Sequence, residues 1–251
     1  MATSLDVVVP VLNEEHNLSP NISELEEFLS HHLDGYEWRI IIADNGSTDS
    51  TLNVAKRLSG QLSKVEYTGL KQRGRGIALR EAWLESEADI LAYMDLDLST
   101  ELDVFPALVE AIRVEGYDIA IGSRLKAGAQ VIGRSFKREL TSRTYSLIFR
   151  TMFLTDFIDA QCGFKALSRR AAQELVPLVR NTGWFFDTEL LVLAEKNGYR
   201  IKEIPVTWTD DPDSRVNLIS TAYEDMKGLL RLRFGGLTIA SESLSRRRKI
   251  K

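Results

Sequence analysis

The chain has one cysteine, Cys162, among 251 residues. That excludes an intramolecular disulfide and a multi-cysteine metal cluster, and it fits a reducing compartment. No stretch reaches the roughly 18 consecutive apolar residues of a membrane-spanning helix, so any lipid contact is expected to be peripheral. From Met1 the sequence passes straight into an apolar run, without the basic segment, long apolar core and small-residue cleavage site of a secretory signal. The expected location is therefore the cytoplasm. Internal repeats and a Pro/Gly/Ser-rich linker are also missing, which favours one continuous domain over residues 1–236, followed by a basic tail, 237–251, expected to be disordered. His16, His31 and His32 lie far from Cys162 in sequence, so cysteine–histidine nucleophilic chemistry is not expected. A net charge of −4 and a pI near 5.6 argue against general nucleic-acid affinity.

What is present is an alternation of apolar runs and amphipathic stretches, with 44% hydrophobic residues to build a core. Residues 5–11, 38–43, 65–69, 89–94 and 118–122 read as strands. Residues 17–33, 50–58, 77–86 and 102–114 read as the helices between them. This order predicts an α/β fold with a mostly parallel sheet covered on both faces, and ligands bound beyond the carboxyl ends of the strands. Residues 123–160 form a long, basic, partly helical excursion. After it, 168–178 and 186–197 read as helices, 199–208 as a strand and 218–234 as a final amphipathic helix.

The polar motifs fall at the expected strand ends. Asp95-Leu96-Asp97 follows 90–94, and the two-residue period of an extended chain directs both carboxylates to one side. Such a pair suits a hard divalent cation that keeps waters and takes further ligands from substrate phosphates. A solvated acidic loop, or a cap for the next helix, is the other reading of the same residues. Asp44 and Asn45 also close a strand, where a carboxylate can accept from a base or ribose; helix capping suits Ser47, Thr48 and Asp49 better. Arg73-Gly74-Arg75-Gly76 opens a helix and suits either phosphate approach or simple turn geometry.

Taken together, the segments 10–15 (Pro-Val-Leu-Asn-Glu-Glu), 44–49 (Asp-Asn-Gly-Ser-Thr-Asp), 74–78 (Gly-Arg-Gly-Ile-Ala), 95–97 and 122–124 (Gly-Ser-Arg) follow one another as in family 2 inverting glycosyltransferases of the GT-A fold, which the sequence resembles. Residues 159–165 (Asp-Ala-Gln-Cys-Gly-Phe-Lys) and 184–190 (Trp-Phe-Phe-Asp-Thr-Glu-Leu) narrow the likeness to polyprenyl-phosphate sugar synthases, closer to dolichyl-phosphate glucose synthases than to the mannose enzymes. The likeness spans roughly residues 5–232.

The resemblance implies that Pro10, Asn13, Glu14 and Asp44 hold the nucleoside of a nucleotide diphosphate sugar, with Asp95 nearby, and that Asp97 binds Mg²⁺ or Mn²⁺. Arg75 stands where the family commonly has Lys, Asn45 where it often has a second Asp, and Ser99 where the mannose enzymes offer Gln. Arg215 is expected to close over the diphosphate. Asp159, Gln161 and Asp187 are expected to meet sugar hydroxyls, with helix capping as the alternative for the two aspartates.

Between residues 124 and 150 stand Arg124, Lys126, Arg134, Lys137, Arg138, Arg143 and Arg150 against Glu139 alone, a localised anion site in an acidic chain. Tyr145, Leu147, Ile148, Phe149, Met152, Phe153 and Leu154 are interleaved with it. They suit a bilayer interface, or a core-packing helix with a solvated basic face. By the resemblance, Arg124, Arg138 and Ser142, with Lys137 beside them, grip the phosphate of a polyprenyl or dolichyl phosphate. Asp97, Arg124 and Arg138 become the expected catalytic groups. A phosphate monoester is already anionic at neutral pH, so positioning and electrostatics suffice for attack with inversion. The expected setting is the cytoplasmic face of a membrane, reached peripherally or through a membrane-anchoring subunit.

Other readings are open. A nucleotidyltransferase would carry a Gly-rich basic loop where Asn13-Glu14-Glu15 stands, and is disfavoured. Transfer to a soluble or polysaccharide acceptor, and a non-catalytic nucleotide-sugar-binding subunit, are the remaining alternatives.

Overall fold

In the computed structural model, which describes residues 2–70, 73–210 and 218–250, the β-branched run at the amino terminus forms a central strand. The strands are β1 (Thr3–Val11), β2 (Tyr36–Asp44), β3 (Val65–Gly69), β4 (Ile90–Met94), β5 (Ile119–Ser123), β6 (Gln130–Ile132), β7 (Phe164–Ser168), β8 (Ile201–Pro205) and β9 (Thr207–Thr209). The helices are α1 (Leu18–His32), α2 (Thr51–Gln61), α3 (Arg75–Glu85), α4 (Phe105–Arg113), α5 (Phe136–Phe153), α6 (Arg169–Leu175), α7 (Phe186–Lys196), α8 (Leu218–Arg231) and α9 (Leu237–Ile250).

Among the described residues one sheet has the order β3-β2-β1-β4-β7-β5-β8, and β6 pairs with β9 apart from it. Side chains alternate between its two faces. Leu5, Val7 and Val9 of β1 join one hydrophobic cluster with α1, α2 and α4, and Val8 joins the other with α3, α6 and α7. This is the two-sided burial that made β1 and β4 read as continuous apolar runs.

Every pairing in the large sheet is parallel except those of β7, which runs antiparallel to both β4 and β5. The sequence did not announce β7, because Phe164-Lys165-Ala166-Leu167-Ser168 places a lysine inside what must be a buried strand. Reversal has a direct consequence for the site. The amino end of β7 lies beside the carboxyl end of β4, with Phe164 opposite Met94, so the loop entering β7 lines the same edge as the loops leaving the parallel strands.

Two expectations need correction. The segment 237–251, expected to be a disordered tail, is helical through residue 250. The final helix expected over 218–234 ends at Arg231, the chain kinks at Phe234 and at Gly235 (φ 118°), and α9 then turns back onto the body. Ala240 and Leu244, one turn apart, are buried among Leu175 and Val176. Arg248 Nε donates to Glu174 (3.0 Å), and its guanidinium lies over the Tyr199 ring. The Gly235-Gly236 pair that reads as a terminus is a hinge between two helices.

The basic excursion contains α5, whose amino end is capped by Ser135 accepting from the Arg138 N–H. Its apolar residues divide between two fates. Phe149 and Phe153 are core, while Phe136, Leu140, Leu147 and the following Leu154 are exposed. No described helix is long and apolar enough to cross a membrane.

Docking of α9 is testable. Leu244→Ala is expected to lower the unfolding free energy by about 2 kcal/mol or more in a urea titration, whereas the same change in a disordered tail would leave the midpoint unmoved.

Candidate functional site

Loops after β1 and β2 are laced together at the carboxyl edge of the sheet. Asn13 adopts a left-handed conformation (φ 55°). Its N–H donates to Ser47 Oγ (2.9 Å), and its Oδ1 accepts from the Thr48 N–H (2.8 Å). The Glu14 N–H donates to Thr51 Oγ1 (2.8 Å), and the Glu15 carboxylate accepts from the Ser50 N–H (2.9 Å). Buried Asp44 accepts from the Ser47 N–H (3.2 Å), and its carbonyl accepts from Leu70 beyond β3. Asn45 Oδ1 accepts from the Gly74 N–H (2.6 Å), tying the third loop to the second. Asn13 and Glu14, with His16, Thr48 and Asp49, line an open cleft of about 340 Å³. Pro10 is half-buried on β1 opposite Ala43. The expected nucleoside residues thus share one edge of the sheet, and much of their hydrogen-bonding capacity shapes the loops.

The strand β4 stops at Met94, so the pleat does not orient Asp95 and Asp97; a turn through Leu98 (φ 49°) does. Both aspartates nevertheless line one small cavity, together with Ser99, Gly163 and Trp208. The Asp95 N–H donates to the Gly163 carbonyl (3.1 Å). A Cβ on Gly163 would fall 1.7 Å from Asp95 Oδ2, so only glycine allows the carboxylate to lie there. Asp97 Oδ1 accepts from the Ser99 N–H (3.0 Å). Two carboxylates on one cavity suit Mg²⁺ or Mn²⁺ completed by phosphate oxygens and water. No all-protein cage is built: among the described residues no three His, Cys, Asp or Glu side chains converge as a metal site. Asp95 already has a cation on Oδ1.

That cation belongs to Arg75, whose Nη2 donates to Asp95 Oδ1 (2.7 Å) and Nη1 to Asp187 Oδ2 (2.8 Å). Burial opposes the Arg75 charge, and Asp95 and Asp187 outweigh it, holding the guanidinium pKa well above its ordinary value. Its plane lies against the rings of Tyr93 and Trp184, each 4.9 Å away. Asp187 is 1% exposed. Its Oδ1 accepts from Tyr93 (2.5 Å) and pairs with Lys165 (3.1 Å), which is fully buried on β7. Burial, partly offset by Arg75, pushes the Tyr93 phenol well up, so it stays a donor. Asp187, expected to meet a sugar or cap a helix, lies in the first turn of α7 and is the buried counter-ion of Arg75 and Lys165.

On the other side of Gly163, Arg124 grips Asp159. The Arg124 N–H and Nε donate to Oδ2 (2.9 and 2.8 Å) and Nη2 to Oδ1 (2.9 Å). Although burial alone would raise it, the Arg124 charge brings the Asp159 carboxyl down to about 2. Arg124, expected on a lipid phosphate, and Asp159, expected on a sugar, thus form a buried ion pair with each other. Arg138 is bonded to Asp210, and Ser142 accepts from Arg134. Lys137 is exposed. The guanidiniums of Arg124 and Arg134 each lie 5.5 Å from the centre of the Trp208 ring. Gln161 Nε2 donates to Asp225 Oδ2 (2.8 Å) on α8, and Asp225 Oδ1 is buried with no hydrogen-bond partner. Arg215 lies outside the described residues.

Lys165, Tyr93, Asp225, Arg134, Trp208 and the role of Gly163 were missed in the sequence. Lys165 and Gly163 stand within a recognised motif but carried no assignment, and Arg134 was counted only as one charge among seven. Tyr93, Trp208 and Asp225 sit inside apparent strands and a helix with nothing local to mark them.

Two measurements probe this arrangement. Asp187→Asn keeps the shape but leaves Arg75 and Lys165 in excess of buried negative charge; it is expected to cost about 3 kcal/mol or more in urea unfolding. Burial raises the Asp225 carboxyl to about 6, against the Gln161 hydrogen bond and with help from Glu224 and Asp187. A folded value above the unfolded 3.8 means stability that is fully present below that pH and lost as pH rises through about 6. Asp225→Asn escapes this loss. Its stability relative to wild type should rise by up to about 3 kcal/mol between pH 4 and 7, and a flat difference would refute the assignment.

The family model for glycosyl transferase family 2 matches residues 6–176. Glycosyltransferase AglD of Haloferax volcanii is 36% identical over 216 residues, covering 86% of this chain and 34% of that protein. The dolichyl-phosphate beta-glucosyltransferase of Dictyostelium discoideum is 31% identical over 244 residues, covering 92% and 74%. The dolichol-phosphate mannosyltransferase of Pyrococcus furiosus is 30% identical over 208 residues, covering 81% and 56%. The chain thus spans roughly a third of AglD and three-quarters of the Dictyostelium protein. Among solved structures, glucosyl-3-phosphoglycerate synthase of Mycobacterium tuberculosis superposes with a TM-score of 0.68 at 20% identity, covering 93% of this chain and 81% of that one. The same protein with Mn²⁺, UDP-glucose and phosphoglyceric acid gives 0.67 at 19% identity, covering 93% and 80%. At that identity the likeness speaks for the fold alone. With a family match over two-thirds of its length and a GT-A fold, the chain belongs to glycosyl transferase family 2 and is a glycosyltransferase.

Proposed function

We propose that the protein transfers a hexosyl group from a nucleotide diphosphate sugar, UDP-glucose ahead of GDP-mannose, to polyprenyl or dolichyl phosphate with inversion at the anomeric carbon. The observation that carries this reading is an adjacency. Trp208 lines the cavity of Asp95 and Asp97 and also lies against Arg124 and Arg134, so a diphosphate side and an anion side meet across one indole. Relatives named as dolichyl-phosphate glucosyltransferases and a mannosyltransferase support the same chemistry.

In this scheme Pro10, Asn13, Glu14 and Asp44 bind the nucleoside, and Asp97, with Asp95 behind it, holds Mg²⁺ or Mn²⁺. The bound ion supplies neutralisation of the departing diphosphate. Arg75 fixes Asp95, and Asp187 in turn fixes Arg75. Lys137, Arg138 and Ser142 receive the acceptor phosphate, Arg124 adds charge behind them, and Gln161 borders the sugar. A phosphate oxygen of the acceptor attacks the anomeric carbon as the bond to the nucleotide diphosphate breaks on the opposite side. No general base is needed, because the nucleophile is already an anion. Phe136, Leu140 and Leu147, exposed on α5 beside Lys137 and Arg143, rest on a membrane surface at its cytoplasmic face, where the acceptor's lipid chain lies.

The test offers radiolabelled UDP-glucose, GDP-mannose or UDP-GalNAc with polyprenyl phosphate and Mg²⁺ or Mn²⁺, and extracts the lipid. Label from UDP-glucose should become lipid-extractable as the β-linked product, and Asp97→Ala should lower kcat by at least about 100-fold. Label that stays aqueous with every donor, or moves only to a soluble phosphorylated acceptor, would overturn the lipid assignment.

A further inference from the structure

Arg134 belongs to the arginine cluster and has no assigned work, and its environment is a poor one for a purely structural cation. Its side chain is 8% exposed. Its Nε is buried without a hydrogen-bond partner. Its carboxylate partner, Glu139 (3.2 Å), is shared with Arg143 (2.6 Å). Burial and the neighbouring Arg124 charge both pull its pKa down. A buried guanidinium with an unmet donor costs stability, and a neutral side chain of similar volume would avoid that cost.

What Arg134 does make is a bond to Ser142: its Nη2 donates to Ser142 Oγ. The bond changes what the serine can do. A hydroxyl has one proton and two lone pairs, and on a helix it ordinarily spends the proton on the carbonyl one turn back. Thr141 and Thr151 of α5 do so, donating to Lys137 O (2.9 Å) and Leu147 O (2.8 Å). Ser146 of the same helix spends its proton on the Ile158 carbonyl (2.6 Å). Ser142 makes no such bond; its oxygen is occupied by an incoming donor, so its proton points away from Arg134 and is left to give.

We propose that Arg134 is a positioning residue for the acceptor: by donating to Ser142 Oγ it holds the Ser142 hydroxyl as a hydrogen-bond donor toward an anionic phosphate oxygen. The inference rests on Ser142 belonging to the acceptor-phosphate site. Trp208, against which the Arg134 guanidinium lies, fixes the plane of the arginine, as a planar fork against an aromatic face requires. A serine released from Arg134 turns back to the Arg138 carbonyl and presents only lone pairs to the phosphate.

The test is steady-state kinetics of wild type, Arg134→Gln, Ser142→Ala and the double variant, with UDP-glucose, Mn²⁺ and a short-chain polyprenyl phosphate in detergent. Each single change should raise the acceptor KM by about tenfold, the worth of one hydrogen bond to a charged group. The donor KM should stay within about twofold, and the double variant should be no worse than either single one within about twofold. A structural role would instead lower the melting temperature and multiply with Ser142→Ala. Should Arg134→Gln fail to fold, Arg134→Met, which has no donor, carries the test, and a wild-type acceptor KM in that folded variant overturns the inference. Ser142→Ala raising the acceptor KM while Arg134→Gln leaves it alone, or the two effects multiplying, overturns the role of Arg134 only. No effect of Ser142→Ala, in an enzyme that still makes the lipid product, overturns the acceptor-phosphate assignment of Ser142 and this inference together.

Discussion

The buried carboxylate of Asp187 organises one half of the site. It takes Arg75 on one oxygen, and Lys165 with Tyr93 on the other, while Arg75 passes its remaining charge to Asp95. Two cations and two anions close to neutrality across α3, the end of β4, β7 and α7. Burying Arg75, Lys165 or Asp187 alone would be prohibitive, so their mutual presence fixes the relative placement of those elements. Asp95, the member of the set that reaches the cavity, is held by Arg75, which Asp187 holds in turn.

The reversal of β7 makes this closure possible. In an all-parallel sheet the residues entering β7 would lie at the opposite edge from Asp95. Running antiparallel, β7 brings Asp159, Gln161 and Gly163 to the carboxyl ends of β4 and β5, where Gly163 lies beneath Asp95 and Asp159 meets Arg124. Charge pairs on either side of Gly163 then serve different ends. The Arg75 network holds the Asp95 carboxylate at the cavity, and the Arg124 pair neutralises the root of the basic excursion.

Much of the site could be located from the sequence, and less of its wiring. Strand ends carrying Asp44, Asp95, Asp97 and Arg124 were legible because apolar β-branched runs stop where polar loops begin. Partnerships were not. Arg75 with Asp187 spans 112 residues and Gln161 with Asp225 spans 64, and nothing in a local pattern records such pairs. Lys165 shows the difficulty most clearly: a lysine argues against a buried strand until a buried aspartate is known to face it. The α9 helix was hidden differently, since Gly235-Gly236 has the signature of a terminus, and only packing of Ala240 and Leu244 shows that the chain turns and continues.

The sequence by itself determined the α/β order, the parallel core around β1 and the edge at which the polar loops gather, because hydrophobic periodicity and strand-end polarity are local properties. Tertiary structure alone decided which charges are spent inside the protein and which face outward. That division depends on burial and on partners far apart in the chain: Asp159 and Asp187, alike in sequence as acidic residues beside glycine and aromatic motifs, both became counter-ions once the sheet closed over them.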